Sequence, residues 1–178
     1  MTVPPVSELR VPRVTVSIIN YRTADLTIAC VESVLADIAG DDARPAIDAE
    51  VVVIDNASGD GSAEAIEAWI AARPDAPVRL IRSPVNGGFA AGHNQVITAS
   101  HGPFVLLLNS DAELRPGCLG ALLANADAHP EAGLISARLE DGNGIPQTSC
   151  FRFPTPVSEF IRGAATGPVT RALASWNV

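Results

Sequence analysis

Lysine is absent. All twelve basic residues are arginine, which excludes a Schiff-base amine, the lysine of a P-loop and any lysine acid–base chemistry. Cysteine is scarce: Cys30, Cys118 and Cys150 are odd in number, widely spaced and form no CxxC or zinc pattern. They read as reduced packing residues. Long apolar runs are missing as well. Aliphatic stretches such as residues 105–108 fall far short of the ~20 residues that cross a bilayer. The opening Met1-Thr2-Val3-Pro4-Pro5 has neither a basic n-region nor an apolar h-region, so no signal peptide is expected. The expectation is a cytoplasmic chain, or one lying peripherally on the inner face of the membrane. Positive charge is short too: 12 basic against 20 acidic residues give a formal −8. That leaves no basic face for nucleic acid, although a single arginine could still meet a phosphate.

What is present suits a folded domain. The chain has 178 residues, 47% apolar and 18% charged, enough for one domain or one domain with a tail. Residues 1–13 read as an extended lead-in. Strands are expected at 14–19, 50–54, 78–82, 104–108 and 133–138, and a further one at 147–153. Helices are expected at 23–38, 62–73, 89–100 and 116–128, with a short one near 158–163. Thr23 reads as the cap of the first helix, with Leu26, Cys30, Val34 and Ile38 inward. Asp60 reads as the cap of the second, with Ala65, Ile66 and Trp69 inward. Asp141-Gly142-Asn143-Gly144 is a turn. Repeated strand–helix alternation predicts an α/β domain, an open and mostly parallel sheet flanked by helices. Ligands bind such sheets outside the carboxyl ends of the strands.

Polar and small residues gather at that predicted rim. Asn20-Tyr21-Arg22 follows the first strand, Asp55-Asn56-Ala57-Ser58 the second, Asn86-Gly87-Gly88 the third and Asn109-Ser110-Asp111 the fourth. Asp55 could accept an imide N–H such as N3 of uracil or thymine, or simply bond its own loop. The fourth strand reads as the most buried. Asp111 just beyond it could hold a hard divalent cation, Mg²⁺ or Mn²⁺, that bridges to diphosphate oxygens, or could merely end the strand. Glu113 reads as a charge leading into the next helix. The stretch from Asn86 to Asn94 is glycine-rich but lacks GxGxxG spacing, so it is no dinucleotide fingerprint. His93 reads as a surface or hydrogen-bonded residue. Arg138, ending the fifth strand, could face phosphate.

Four segments carry a resemblance when taken in order: Val16-Ser17-Ile18-Ile19-Asn20-Tyr21, Val53-Ile54-Asp55-Asn56-Ala57-Ser58-Gly59-Asp60-Gly61-Ser62, Asn86-Gly87-Gly88-Phe89-Ala90-Ala91-Gly92-His93-Asn94, and Leu107-Leu108-Asn109-Ser110-Asp111. Over residues 14–155 the chain resembles family-2 glycosyltransferases of GT-A fold, in particular the donor-binding N-terminal half of the rhamnosyltransferase-like branch. The resemblance implies that Asp55 recognises the base and that Asp111, similar to the last Asp of a DxD motif, holds the metal. Asn109 stands where that motif commonly has a ribose-contacting Asp. It further implies that Asn20 and Tyr21 lie beside the base, that Asn56 is among the nucleotide-binding residues, and that Asn86, Gly87, Gly88 and Asn94 wall the nucleotide pocket.

The implied reaction is inverting transfer of a sugar from a UDP- or dTDP-sugar, dTDP-rhamnose among them, to a glycan or lipid-linked acceptor. The family places its acidic general base in an acceptor half. Residues 156–178 read as the start of that half or as a tail. Asp141 and Glu159 are the carboxylates at hand, and neither is positioned by the pattern. The alternative is a catalytically incomplete sugar-nucleotide-binding protein or subunit. Apolar surface around Phe151, Phe153, Phe160 and Trp176 would favour self-association. A phospho-accepting receiver domain would need a lysine, and a nucleotidyltransferase a basic glycine-rich loop after the first strand; neither is present.

Overall fold

The computed structural model describes residues 11–148. The elements alternate: β1 (Val14–Asn20), α1 (Ala24–Ala39), β2 (Ala49–Asp55), α2 (Ser62–Ala71), β3 (Val78–Arg82), α3 (Gly88–Ala99), β4 (Phe104–Asn109) and α4 (Cys118–Ala128). The strands form one all-parallel sheet in the order β3-β2-β1-β4, so the expected open sheet is what the chain builds.

Register lines up the functional ends. Asn20 pairs with Asp55, Asp55 with Arg82, and Ile19 with Asn109, so the carboxyl termini form one rim. From β1 the chain steps outward to β2 and β3, then returns to β4 on the other side of β1. Right-handed crossovers therefore put α1 and α2 on one face and α3 on the opposite one. The reversal makes the gap between the ends of β1 and β4 a topological switch point.

The two faces are packed differently. On one, Val14, Val16, Ile18, Val51 and Val53 meet Cys30, Val31, Val34, Ile66, Leu119 and Leu123. On the other, the buried apolar set is Val52, Ile54 and Val96, joined by Ile19 and Ile81. Polar side chains fill the rest of that second layer. Thr15 Oγ1 donates to Glu50 Oε1 at 2.9 Å and lies 3.0 Å from Ser100 Oγ. Ser17 Oγ lies 2.8 Å from His93 Nδ1. Helix α3 comes close to β1 here: a Cβ at Gly92 would stand 2.7 Å from Ile19 Cδ1.

Several sequence-based expectations shift. In α1 the inward stripe is Thr27, Cys30, Val31, Val34 and Ile38, whereas Leu26 is 51% exposed. A buried threonine, hydrogen-bonded inside, holds the position that hydrophobicity alone assigns to leucine. In α2, Ala63 is inward and Ala65 exposed. Helix α4 begins at Cys118 rather than Pro116, because Gly117 adopts φ +85° before it. The capping group comes from another helix. The buried carboxylate of Asp37 accepts the Gly117 N–H and, at 2.8 Å, the Leu119 N–H. Strand β4 is not the most buried strand; among the described residues it is a sheet edge with Leu107 exposed, and β1 and β2 are the buried pair.

The chain divides into two compact units, residues 1–135 and 136–178. No strand forms over 133–138. In the second unit, the expected turn is present and is organised by Asp141. Its carboxylate accepts the N–H groups of Asn143 and Ile145, both at 2.9 Å, and Glu140 bridges Pro146. The strand proposed for 147–153 is absent at 147–148. Its remainder, the short helix near 158–163, the lead-in over 1–10, the 155/156 boundary, and Phe151, Phe153, Glu159, Phe160 and Trp176 lie outside the described residues. Among the described residues no helix is long and apolar enough to cross a membrane.

Candidate functional site

Two loops at the rim are locked together from within. Asn20 ends β1 fully buried. Its Nδ2 donates to Asp55 Oδ1 at 2.7 Å and to Ser58 Oγ at 3.1 Å. Its Oδ1 accepts from Thr27 Oγ1 at 3.0 Å and from the Thr23 N–H at 3.2 Å. So Thr23 stands at the cap position of α1 as expected, but its side chain makes no capping hydrogen bond; Asn20 Oδ1 instead ties down the entry to the helix. Asp55 is only 4% exposed. Its Oδ1 also accepts the Ser58 hydroxyl at 2.5 Å, and its Oδ2 the Ser58 N–H at 3.1 Å. Asn20, Asp55 and Ser58 thus form a latch between the β1–α1 and β2–α2 loops. Nearby, Asp60 Oδ1 accepts the Ser62 N–H at 3.0 Å, but the residue at the cap position of α2 is Gly61, left-handed at φ +91°, rather than the expected Asp60.

Above the latch, at the switch point, opens a cleft of about 470 Å³, within the range of small-molecule sites. Tyr21, Asn56, Asn86, Gly88, Asn109 and Asp111 line it, together with Ser110, Thr23, Leu26 and Phe89. Asn20, Asp55, Gly87 and Asn94 do not. Gly87 precedes α3, and Asn94 sits on the exposed side of that helix because Gly92, His93 and Val96 face the sheet. The latch explains the first two: their polar atoms are spent on each other.

Asn56 differs from its neighbour Asp55. It is 3% exposed, and its Nδ2 donates to Asn86 Oδ1 at 2.8 Å and to the Gly88 carbonyl at 3.3 Å. The Asn86 oxygen is identified by a second donor, the Gly88 N–H at 2.9 Å. Both amide orientations are therefore set by the network. Asn56 Oδ1 is left buried without a partner, a costly condition unless a donor arrives.

At the other end of the cleft Asp111 is exposed, just past β4. Cys30 lies beneath this end: its Sγ donates to the Asn109 carbonyl at 3.4 Å. Burial, then the charges of Asp111 and Glu113, push the Cys30 thiol up to about 12, so it stays a protonated donor. Among the described residues no cluster of three or more His, Cys, Asp or Glu could cage a metal. One carboxylate beside the oxygens of Asn109 and Ser110 fits a cation that takes the rest of its shell from water and phosphate, as Mg²⁺ does. Glu113 is exposed but off the cleft.

Other candidates are placed elsewhere. His93 is buried off the cleft, its Nε2 unpartnered, its ring 4.4 Å from that of Phe89, and burial lowers its pKa. Arg138 pairs with Glu140. Sequence reasoning missed Ser58, which carries the latch, and Thr23 and Leu26 on the lining. Small hydroxyl residues in a loop give no pattern, and the only signal for Leu26 was that Thr27, not Leu26, fits the 27-30-31-34-38 stripe.

The model of the family described as Glycosyl transferase family 2 matches residues 15–164. Succinoglycan biosynthesis protein ExoO of Rhizobium meliloti (strain 1021) is 37% identical over 114 residues, covering 64% of this chain and 30% of that protein. Succinoglycan biosynthesis protein ExoU of the same organism is 41% identical over 76 residues, 43% of this chain and 22% of that one. Among solved structures, the mannosyltransferase PcManGT from Pyrobaculum calidifontis, in complex with GDP-Man and Mn²⁺, superposes with a TM-score of 0.56 at 25% identity, over 74% of this chain and 36% of that one. S. aureus TarS 1-349 has a TM-score of 0.54 at 23% identity, over 66% and 33%, a likeness of fold. The shared architecture is the open parallel sheet of GT-A glycosyltransferases. The chain spans about a third or less of the length of these relatives.

Proposed function

The chain belongs to glycosyl transferase family 2, and from that premise we propose that its cleft holds the nucleoside-diphosphate end of a sugar donor used in building a polysaccharide. One observation carries the reading. A cleft at the switch point of the sheet is lined by Asp111 at one end and, at the other, by Asn56 with an acceptor oxygen that has no partner.

In this reading a bound base uncovers the buried Asn56 Oδ1, which then accepts the imide N–H of uracil or thymine, and Tyr21 lies against the base. Asn86 and Gly88 wall the pocket, and Asn109 faces the ribose. Asn20 and Asp55 act from behind, by holding Tyr21 and Asn56 in place. This moves base recognition from Asp55 to the next residue, because the oxygens of Asp55 already accept three internal hydrogen bonds. Asp111, with Asn109 and Ser110 nearby, would hold Mg²⁺ or Mn²⁺. The mannosyltransferase neighbour was solved with Mn²⁺. Such a cation supplies Lewis-acid stabilisation of the departing diphosphate.

Transfer with inversion joins the acceptor oxygen to the anomeric carbon as the bond to the diphosphate breaks, and the acceptor proton passes to a general base. Asp111 is the one carboxylate among the described residues that lines the cleft, and Asp141 is occupied by backbone N–H groups. The base is therefore assigned to polypeptide outside the described core. The donor is a UDP- or dTDP-sugar such as dTDP-rhamnose, and the acceptor a glycan or lipid-linked sugar.

A thermal-shift panel of UDP-, dTDP- and GDP-sugars, with and without Mn²⁺, tests the reading. A ligand bound only by the folded state stabilises by about 2.7 kcal/mol at a hundredfold excess over Kd. UDP- or dTDP-sugars should raise Tm, more so with Mn²⁺. A response to GDP-sugars alone would overturn the imide assignment, and no response to any of the three would overturn the donor-site reading.

A further inference from the structure

Arg22 stands apart from the other described arginines. It sits in the left-handed region at φ 60°, and the one other non-glycine residue there among the described residues is Ala57 at φ 57°, in the facing loop. Backbone of this kind costs free energy for a residue with a Cβ and persists where the surroundings over-determine it. Glycine would relieve the cost, so an arginine at this place points to a use for its side chain. Its backbone N–H donates to Ser58 Oγ at 3.0 Å and its Nε to the Ser58 carbonyl at 3.1 Å. Those two bonds fix the side chain at both ends of its stem. The guanidinium is thereby held over the Tyr21 ring, its carbon 5.1 Å from the ring centroid, inside the range of a cation–π contact.

The ion pairs sharpen the point. Arg44 and Arg82 each hold carboxylates, as expected in a chain of net charge −8. Arg22 has no carboxylate within ion-pair distance among the described residues; Asp60 feels it only as a more distant charge. The guanidinium has been spent on an aromatic ring. That ring belongs to the sole tyrosine of the chain, is 43% exposed and lines the cleft.

We infer that Arg22 is the positioning residue of Tyr21: it holds the ring ready in the empty cleft and so sets the affinity for a stacked nucleobase. The inference rests on the donor-site reading above and deepens it. A ring left unheld must be ordered on binding, which weakens affinity roughly two- to tenfold. Lysine cannot replace arginine here, because an ammonium has neither the flat face that stacks on the ring nor the Nε–H that reaches Ser58.

Arg22→Gly isolates the side chain, since glycine accepts the same backbone. The probes are UDP, dTDP and GDP with Mn²⁺, and inorganic pyrophosphate with Mn²⁺ as the probe without a base, all by calorimetry. Arg22→Gly should match or exceed the wild type in Tm, bind the preferred nucleotide about two- to tenfold more weakly, and bind pyrophosphate unchanged. Arg22→Lys should restore little of the loss. Replacing the single tyrosine by 3-fluorotyrosine gives one ¹⁹F resonance, which should move in ligand-free Arg22→Gly. Unchanged nucleotide affinity with an unmoved ¹⁹F signal overturns the inference. Equal loss for nucleotide and pyrophosphate also overturns it, because it points to general damage of the loop. If the wild type binds none of the nucleotides, the donor-site reading fails and the base-stacking role fails with it. The ¹⁹F shift then decides the Arg22–Tyr21 clamp alone.

Discussion

Asp55 and Asp111 follow parallel strands at the same rim of one sheet, and their surroundings are opposite. Asp55 is buried, and its two oxygens accept from Asn20, from the Ser58 hydroxyl and from the Ser58 backbone. Asp111 is exposed on the cleft wall with no donor drawn to it among the described residues. A carboxylate with its lone pairs filled holds backbone in place; one with them free can hold a ligand. The difference comes from neighbours. Asp55 ends a central strand beside Asn20 on β1, whereas Asp111 follows β4, which among the described residues is an edge strand of the sheet.

The comparison breaks most visibly at Asp55. Asp55→Ala would leave the Ser58 N–H and hydroxyl buried without an acceptor and Asn20 Nδ2 with Ser58 Oγ alone, a loss of about 3 kcal/mol or more, read by chemical denaturation. Stability within about 1 kcal/mol of wild type would mean that the latch does not hold these loops together. Asp111→Asn should do the reverse. Unfolding should be unchanged, while the Mn²⁺-dependent part of nucleotide affinity falls tenfold or more, about 1.4 kcal/mol, because an amide oxygen lacks the charge that holds a hard dication. Donor and Mn²⁺ affinities equal to wild type would remove the metal role from this residue.

The smallest effect sharpens the contrast at another buried polar group, His93. Burial lowers its pKa, so in the folded state it resists a proton that the unfolded chain accepts below pH ~6.5. Stability from this residue is complete above that pH and declines as pH falls below it, until the folded pKa is passed. The decline between pH 7 and 5.5 should not exceed about 1.3 kcal/mol. His93→Asn, which can keep a bond to Ser17, should flatten that part of the profile. A slope that survives the substitution unchanged would assign it to other groups.

Much of this architecture was legible in the chain itself. The β-branched and aliphatic runs at 14–19, 50–54, 78–82 and 104–108, with helical patterns between them, specify a parallel α/β sheet because each strand must be covered on both faces. Loop residues at the strand ends marked the rim before any side chain was placed. The expected strand over 133–138 shows the limit of that reading. Apolar residues between turns satisfy a strand pattern, but a strand exists only where a neighbouring edge supplies hydrogen bonds, and pairing is a tertiary event.

Roles within the motifs were less legible. Adjacent residues, Asp55 and Asn56, share one loop and one motif, yet one faces the latch and the other the cleft. That depends on which way the backbone leaves β2, turned by the left-handed Ala57 and tied to Arg22 through Ser58. The sequence by itself determined the strands, the helices, the rim and the kinds of polar group available there, because periodicity and residue chemistry are local properties of a chain. Which of those groups would be consumed by one another and which left free for a ligand was decided only by the tertiary structure, since a hydrogen bond between residues 35 positions apart, as from Asn20 to Asp55, exists only once register has brought them side by side.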